Sequence, residues 1–179
     1  QPVCASAVLV KNQDHFKYFS YFADYLNPLE NRNEAQPDLI EKSTQTTRRF
    51  DALKVWLSLK VTGTEVIKSA LEGAHFLAKD TYQLLEQEPT IETLLEPQLS
   101  TVLFRYKPSG MHDTQSLNEL NRSIKTHLFD AGDAALASTK VGQKLYLKFT
   151  LLNPVTTIDD MRQIIGKIKS VAQLYNAHF

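Results

Sequence analysis

The alternation of strand and helix patterns after Pro89 is the feature that most constrains the fold of this chain. Two segments of strand character, "TIETLLE" and "LSTVLFRYK", precede the helical pattern "LNELNRSIKTHLF", and two more, "AALASTKV" and "QKLYLKFTLL", follow it. Gly142 predicts a short turn between the last two strands. This order favours an α+β layer, in which helices cover a small and mainly antiparallel sheet.

The last strand and the last helix each carry a pattern that predicts which side is buried. In "KLYLKFTLL", Lys148 shares one face with Tyr146 and Thr150, and the other face is apolar. Thr157 and Asp160 have the spacing of a capping box that opens the last helix. The predicted core face of that helix consists of Met161, Ile164, Ile165, Ile168, Ala172 and Tyr175.

The stretch "TTRRFDALKVWLSLKVTG" predicts a helix from about Arg48 to Thr62 that is almost entirely apolar and therefore largely buried. Two arginines at a helix N-terminus are unfavourable by roughly 0.3–1 kcal/mol each, so an acidic partner or a bound anion is expected there. Gly63 suits the position after the helix end. Thr62 and Glu65 then have capping-box spacing for a second helix that ends before Pro89.

The first 47 residues contain a different sequence of patterns. The run from Val3 to Val10 predicts a strand buried on both faces, which needs neighbours from elsewhere in the polypeptide. A helix is predicted next, with Asp14 as N-cap and an aromatic face of Phe16, Phe19 and Phe22. Residues 27–47 are polar and carry two prolines, which predicts a mobile loop.

Composition narrows the classes of function. Lys plus Arg and Asp plus Glu number 20 each, so the charge balance does not indicate binding to nucleic acid or to a membrane surface. Cys4 is the single cysteine, which excludes an internal disulfide and favours a reducing compartment. The five histidines are scattered without metal-ligand spacing, and neither a glycine-rich phosphate loop nor a G-x-S-x-G elbow is found.

The order of four segments resembles the C-terminal portion of the group II pyridoxal-phosphate-dependent amino-acid decarboxylases. These segments are "QPVCASAVLVKNQDHF", "YFADYLNP", "TTRRFDALKVWLSLKVTG" and "YLKFTLLNPVTT". The resemblance covers essentially the whole chain and is most specific at the arginine-led segment and at the strand followed by Asn-Pro. Within the family, the amino-acid sequence of these segments is most similar to that of bacterial L-2,4-diaminobutyrate decarboxylases.

The resemblance implies an α/β architecture, the C-terminal part of the fold type I pyridoxal-phosphate-dependent transferases. Residues 1–47 would form the tail of the large cofactor domain, with a mobile catalytic loop at about 27–47. Residues 48–179 would form the arginine-led linking helix and the small C-terminal domain. The lysine that binds pyridoxal 5'-phosphate as a Schiff base would lie upstream of Gln1, so this chain by itself is expected to be inactive. A cytoplasmic homodimer with shared active sites is also implied, with the upstream part of the same polypeptide as a further partner.

The resemblance also assigns roles to individual residues. Tyr25 matches a loop tyrosine that returns a proton after carbon dioxide leaves, although an aromatic contact between Phe22 and Leu26 would explain it equally simply. Lys148 matches a position where many relatives carry an arginine that holds the substrate α-carboxylate. A solvent-facing lysine is the alternative interpretation of Lys148.

Two further residues stand at the start of the arginine-led segment. Thr47 matches a position bordering the substrate side chain, and it could equally be an N-cap. Arg48 would lie near the cofactor phosphate or the dimer interface, and which of Arg48 and Arg49 faces inward is left open.

The predicted activity of the whole enzyme is removal of the α-carboxylate of an amino acid. L-2,4-diaminobutyrate, giving 1,3-diaminopropane, is the favoured substrate, and glutamate or an aromatic amino acid is the alternative within the family. From a different class, the chain could be a non-catalytic binding domain derived from the same fold.

Overall fold

A computed structural model describes residues 7–19, 45, 47 and 49–176. The chain divides into two compact units, Gln1–Thr64 and Glu65–Phe179, and each is described by itself. The predicted division at residues 47 and 48 concerns the domains of the whole protein and stays a prediction.

The described part of the first unit begins with a short 3₁₀ helix, Gln13–Tyr18. Its N-cap is Asn12, whose side chain accepts a hydrogen bond of 3.0 Å from the backbone N–H of Asp14, so the prediction that Asp14 is the cap was wrong. Residues 7–10 form no strand, contrary to the prediction for Val3 to Val10. A strand exists only where a neighbour accepts its hydrogen bonds. Phe22 and residues 3–6 lie outside the described residues.

Helix α1 spans Ala52–Thr62 and therefore begins four residues after Arg48. Asp51 occupies the N-cap position, and its carboxylate lies 2.6 Å from the Nζ atom of Lys54. A carboxylate at this position is favourable to the helix dipole, and Arg49 lies outside the helix. The dipole cost predicted for Arg49 at a helix start therefore does not arise, and Arg48 lies outside the described residues.

The prediction that this helix is largely buried is also wrong for the described structure. None of the residues of α1 is buried, and Trp56 and Leu57 are 54 % and 45 % exposed. A helix that is apolar on nearly all sides is characteristic of a buried position. The sequence of α1 is thus suited to a more enclosed setting than the described residues provide.

The second unit contains three helices and four strands. Their bounds are α2 (Thr64–Glu86), β1 (Ile91–Thr93), β2 (Thr101–Tyr106), α3 (Thr114–Asp130), β3 (Ala137–Val141), β4 (Lys144–Thr150) and α4 (Ile158–Asn176). Every predicted helix and strand after Pro89 is present, with ends shifted by a few residues. The predicted capping box of Thr62 with Glu65 is wrong, because Thr62 ends α1 and α2 begins directly after Gly63.

The strands form one antiparallel sheet in the order β1-β2-β4-β3. Gly142 has a φ of 60° in the turn between β3 and β4, a conformation that glycine adopts without strain. At the centre of the sheet, Leu103 pairs with Lys148 and Phe104 with Leu147. The predicted mainly antiparallel sheet is therefore confirmed.

All three helices contribute to a single hydrophobic core on one face of this sheet. The sheet supplies Val102 and Phe104 from β2 and Leu147 and Phe149 from β4, and the two phenylalanine rings stack with centroids 4.7 Å apart. Burial of each such side chain contributes roughly 1.5–3 kcal/mol. The helices supply Ala78 and Leu85 from α2, Leu120, Ile124 and Leu128 from α3, and Met161, Ile165, Ile168 and Ala172 from α4. The predicted core face of α4 is confirmed.

Two asparagines of α3 satisfy backbone groups where the pairing of β2 with β4 ends. Asn121 is fully buried, and it donates to the carbonyl and accepts from the N–H of Tyr106, both at 2.8 Å. Asn118 makes the equivalent pair of bonds to the N–H of Leu145 and the carbonyl of Gln143. An unpaired buried backbone group is unfavourable by about 1–3 kcal/mol, so the buried bonds of Asn121 in particular hold α3 to the sheet.

The capping box at the start of α4 is confirmed. The Thr157 hydroxyl accepts from the N–H of Asp160 at 3.2 Å, and the carboxylate of Asp160 accepts from the N–H of Thr157 at 2.7 Å. The hydrogen bonds from the backbone and the hydroxyl of Thr157 lower the pKa of Asp160. The sequence therefore correctly predicted the point at which this helix begins.

Candidate functional site

Lys148 lies on the face of the sheet opposite the helices, as the alternation along β4 predicted. We call this side the open face, and its residues on successive strands are Glu92, Leu103, Arg105, Ala137, Thr139, Tyr146 and Lys148, with Lys107 and Lys144 at one end. Neighbouring strands lie about 4.8 Å apart, so side chains at paired positions of this face are in reach of one another.

The Lys148 side chain is half-buried and has no charged partner. It pairs with Leu103 on β2 and Ala137 on β3, neither of which carries a charge. Within the described part of the chain, its ammonium group makes no hydrogen bond or ion pair. Because a half-buried ammonium group is a strong hydrogen-bond donor, this arrangement suits an anionic group that comes from outside the described residues.

Next to Lys148 on the open face, a network of charges centres on the carboxylate of Glu92. The Nη2 atom of Arg105 lies 2.9 Å and 3.0 Å from the two carboxylate oxygens, and the Nζ atom of Lys107 lies 2.8 Å away. The hydroxyl of Tyr146 donates to the same carboxylate at 3.2 Å, and the Nζ atom of Lys144 lies at 3.7 Å. The carboxylate of Glu92 thus interacts with three cationic side chains and one phenol hydroxyl group.

The electrostatics of this network fix the charge of each member. Burial by itself raises the pKa of Glu92, but the hydrogen bonds and positive charges of Arg105 and Lys107 outweigh it and lower the pKa from 4.5 to about 2. Burial and the negative charge of Glu92 raise the pKa of Tyr146. At neutral pH, Glu92 is therefore ionised and Tyr146 is protonated. Glu92 is fully engaged and leaves the charge of Lys148 uncompensated.

Arg105 is the most deeply buried charged group of the network, with only 3 % of its side chain exposed. Its guanidinium carbon lies 5.6 Å from the centroid of the Tyr146 ring, a distance at which a cation–π interaction is favourable. The Nε and Nη1 atoms of Arg105 are buried and have no hydrogen-bond acceptor. The network therefore satisfies one of the three nitrogens of this guanidinium.

Sequence reasoning missed this network because it depends on cross-strand pairing. Glu92 lies opposite Arg105 in the register of β1 and β2, a register that neither strand pattern specifies by itself. The available signal was the placement of charged residues at alternate positions of "TIETLLE" and "LSTVLFRYK", which puts Glu92, Arg105 and Lys107 on one face of each strand.

The other predicted site residues are placed as follows. Tyr25 and Arg48 lie outside the described residues. Thr47 is exposed and lies in a bend, and because Asp51 is the N-cap of α1, Thr47 does not cap that helix. Thr47 belongs to the first unit and Lys148 to the second, and each unit is described by itself.

Lys148 lines neither of two cavities found in the second unit. One, of about 420 Å³, is lined by β1 and the loop after β2, including Glu92, Lys107 and His112. The other, of about 260 Å³, lies between α2 and α4. Across the described residues, no group of three or more histidine, cysteine and acidic side chains could hold a metal ion.

Pyridoxal phosphate needs a lysine for its aldehyde and an acid for its ring nitrogen, and the described residues do not form such a site. The positions that pair with Lys148 are Leu103 and Ala137, and the carboxylate of the open face, Glu92, is already held by Arg105 and Lys107. The described residues around Lys148 therefore do not fit the cofactor.

Comparison with known proteins identifies the family. Residues 2–107, more than half of the chain, match the pyridoxal-dependent decarboxylase conserved domain. The chain belongs to the pyridoxal-dependent decarboxylase family, whose members are carboxy-lyases. The predicted family is confirmed, and its members use pyridoxal phosphate as cofactor.

Individual relatives support the assignment over nearly the whole chain. An L-2,4-diaminobutyrate decarboxylase of Acinetobacter baumannii is 34 % identical over 173 residues, which cover 97 % of this chain and 34 % of that enzyme. An aromatic-L-amino-acid decarboxylase of Bacillus atrophaeus is 33 % identical, covering 97 % of this chain and 36 % of the relative. The chain thus spans about a third of the length of these relatives.

A crystal structure supports the fold. The glutamate decarboxylase domain of the diaminobutyrate-pyruvate transaminase and L-2,4-diaminobutyrate decarboxylase of Vibrio parahaemolyticus superimposes with a TM-score of 0.63 and 33 % identity. The match covers 75 % of this chain and 28 % of that chain. The fold is therefore that of the fold type I decarboxylases. None of the described helices is both long and apolar enough to cross a membrane.

Proposed function

We propose that these residues are part of a pyridoxal-phosphate-dependent enzyme that removes the α-carboxylate of L-2,4-diaminobutyrate and forms 1,3-diaminopropane. Two relatives whose names include this activity, from Acinetobacter and Vibrio, are 34 % and 33 % identical to the chain. The aromatic-amino-acid decarboxylase at 33 % makes an aromatic substrate the second candidate. The structural observation that supports the proposal is the uncompensated ammonium group of Lys148.

Lys148 would hold the α-carboxylate of the amino acid before it is lost. The cofactor, when bound, supplies the electron sink for cleavage of the carbon–carbon bond. Lys148 supplies a point charge rather than the two-pronged contact of an arginine, so it orients the carboxylate less strictly. Because carbon dioxide leaves without a charge, this contact weakens as the carbon–carbon bond breaks, but the carboxylate keeps part of its charge, and hence part of the contact, in the transition state.

Tyr25 would return a proton to the α-carbon, as the resemblance implies, and Thr47 would border the substrate side chain. Arg48 would lie near the cofactor phosphate or the subunit interface of a cytoplasmic homodimer. In the complete polypeptide, Tyr25→Phe should leave cofactor binding intact and sharply reduce the amine formed per carbon dioxide released, because only the hydroxyl is lost. A normal ratio of amine to carbon dioxide in this variant would assign Tyr25 to packing.

The substrate is tested by measuring carbon dioxide release from a panel of amino acids by the complete polypeptide that carries these residues. We expect the highest kcat/KM with L-2,4-diaminobutyrate. A higher value with glutamate or an aromatic amino acid would replace the proposed substrate. Cofactor-dependent turnover of no amino acid would favour a non-catalytic binding domain.

Lys148→Ala tests the proposed contact directly. Loss of a charge-assisted hydrogen bond worth roughly 1.5–3 kcal/mol corresponds to about a tenfold to hundredfold lower kcat/KM, with part of the loss in KM. Lys148→Arg should retain much of the activity. Lys140→Ala is the control, because Lys140 is an exposed lysine that alternation places on the other face of β3. Equal kinetics for the Lys148→Ala and Lys140→Ala variants would remove Lys148 from the site.

A further inference from the structure

Lys144 and Lys148 are matched lysines on the open face that differ in their partners. They lie on β4 two positions before and two positions after Tyr146, so alternation places all three side chains on one side of the sheet. The Nζ atom of Lys144 lies 3.7 Å from a carboxylate oxygen of Glu92, and the hydroxyl of Tyr146 donates to the same oxygen at 3.2 Å. Lys148 has no described acidic partner. Glu92 therefore reaches side chains of β4, yet it does not pair with Lys148.

Two closer contacts fix the position of the Glu92 carboxylate. The Nη2 atom of Arg105 lies 2.9 Å and 3.0 Å from its two oxygens, and the Nζ atom of Lys107 lies 2.8 Å from one of them. These are the distances of charge-assisted hydrogen bonds, whereas 3.7 Å from Lys144 is too long for one. Arg105 lies on β2, the strand between β1 and β4. The carboxylate of Glu92 is thus engaged before it reaches Lys148.

Stability by itself does not account for the guanidinium group of Arg105. Its side chain is only 3 % exposed, and its buried Nε and Nη1 atoms have no hydrogen-bond acceptor among the described residues. Replacing a buried ion pair by apolar side chains of similar volume often leaves a fold equally stable or more stable. The charge of Arg105 is therefore better explained by its effect on the neighbouring charges.

An unengaged Glu92 would oppose the proposed role of Lys148. Glu92 is ionised at neutral pH, and its carboxylate would compete with a substrate carboxylate for the ammonium group of Lys148 and would repel it. In the present arrangement, Arg105, Lys107, Lys144 and Lys148 face this one carboxylate, which leaves three net positive charges on the open face. Loss of one cation that binds Glu92 would lower this excess and release the competitor.

We propose that Arg105 is a positioning residue for the amino-acid substrate and acts through Glu92. By binding the carboxylate of the open face, Arg105 keeps Lys148 free for the α-carboxylate of the substrate. Lys107 has the same effect to a smaller extent, because it is 38 % exposed and its charge is screened by solvent. Arg105 itself is too enclosed to contact the substrate. This inference rests on the proposed role of Lys148 and adds that its affinity for a carboxylate depends on a residue of another strand.

Substitutions in the complete polypeptide test the inference through charge. Arg105→Met removes the charge and keeps an apolar side chain of similar length, so Glu92 becomes available to Lys148. Adding Glu92→Gln to this variant restores the net charge of the open face without restoring the contact made by Arg105. The substrate is the amino acid of the panel with the highest kcat/KM, and Lys148→Ala is measured in parallel.

We expect Arg105→Met to raise KM about threefold to tenfold, since it leaves an uncompensated negative charge within about 10 Å of the substrate carboxylate. The double variant with Glu92→Gln should return to within about twofold of wild type, because the two changes act on one interaction. Inhibition by the amine product, which has no carboxylate, should be no weaker in either variant. Lys107→Gln changes an exposed position and should raise KM in the same direction by a smaller factor.

A purely structural role of Arg105 would give the opposite pattern. The double variant would then be at least as impaired as Arg105→Met, and the amine product would bind more weakly in both. Either result would overturn the proposal. The matched control is the exposed ion pair of Arg162 with Asp159 on α4. Arg162→Met, with and without Asp159→Asn, should keep the wild-type KM.

The outcome for Lys148→Ala separates this inference from the proposed function. An increased KM in Lys148→Ala, without rescue of Arg105→Met by Glu92→Gln, would overturn the role of Arg105 and leave the proposed function intact. Wild-type kinetics in Lys148→Ala would remove Lys148 from the site and overturn both.

Acetylation of Lys148 in the 179-residue chain, followed by mass spectrometry, gives a readout that does not depend on turnover. A neighbouring carboxylate favours the protonated, unreactive form of a lysine. We therefore expect Lys148 to react about threefold more slowly in Arg105→Met and to recover its rate when Glu92→Gln is added. Lys140, which is exposed on the other face of β3, should react equally in all three proteins. An unchanged rate for Lys148 in Arg105→Met would show that Arg105 does not keep Glu92 from Lys148, and would overturn the proposal.

Discussion

The two faces of the sheet are formed by the same strands and differ in how they are completed. On the helix side, Leu147 is fully buried and belongs to a core shared by three helices. On the open face, the two positions beside Leu147 in the sequence are polar. Tyr146 donates a hydrogen bond to Glu92, and the ammonium group of Lys148 has no described partner. The first face is stabilised within the unit, whereas the second depends on charges and on acceptors that the described residues do not supply.

This difference shows that alternation along a strand specifies more than burial. We expect one set of positions to determine whether the unit folds, and the intervening set to determine what it can bind. Stability and binding should therefore respond to separate substitutions, even at residues that are adjacent in sequence. Two matched leucines, Leu147 and Leu103, make this distinction measurable.

Leu147→Ala in the 179-residue chain should lower the free energy of unfolding by about 2–5 kcal/mol, because it leaves a cavity in a fully packed core. Leu103→Ala, on the open face at the neighbouring pair of the same two strands, should lower it by less than about 1 kcal/mol, because Leu103 is only half-buried. Urea unfolding followed by far-ultraviolet circular dichroism gives both values. Similar losses of unfolding free energy in the two variants would contradict the difference between the two faces.

Glu92→Gln should have a smaller effect, with a characteristic pH dependence. The folded-state pKa of about 2 lies below the ordinary 4.5, so ionised Glu92 stabilises the fold fully above about pH 4.5. That contribution is lost as the pH falls from about 4.5 towards 2. Because Glu92 is partly exposed, solvent screening limits its contribution to about 1–2 kcal/mol.

The measurement is the free energy of unfolding of wild type and Glu92→Gln at several pH values. The difference between them should be largest near neutral pH and should shrink below about pH 4.5. Glu96→Gln is a suitable control, because the Glu96 side chain is 67 % exposed and its carboxylate lies 3.7 Å from its single described partner, Lys79. A difference that is constant from pH 7 to pH 3 would show that the charge of Glu92 does not stabilise the unit.

The parts of the fold that depend on local pattern were predictable from the sequence. The capping box at Thr157, the core face of α4 and the two faces of β4 each follow from spacing within one element. The parts of the fold that depend on contacts with another strand or helix were not predictable in this way. Residues 7–10 have strand composition but lack a described partner strand, and α1 has buried-helix composition but no buried residue.

The candidate site shows the same limit. Lys148 was identified because a family resemblance marked its position and alternation gave its face. The engagement of Glu92 by Arg105, which leaves Lys148 uncompensated, required the register between two strands that lie about a dozen residues apart in the sequence. Tyr25, Thr47 and Arg48 rest on the resemblance and stay predictions.

Helix α1 contains the intrinsic tryptophan fluorophore of this chain. Trp56 is the only tryptophan of the chain, it lies in the first unit and it is 54 % exposed. The wavelength of indole emission depends on the polarity around the ring, so the ultraviolet fluorescence of this chain reports the surroundings of α1. The sheet unit has no tryptophan, so its unfolding does not change the emission of Trp56 directly, whereas anything that encloses α1 would shift the emission to shorter wavelength.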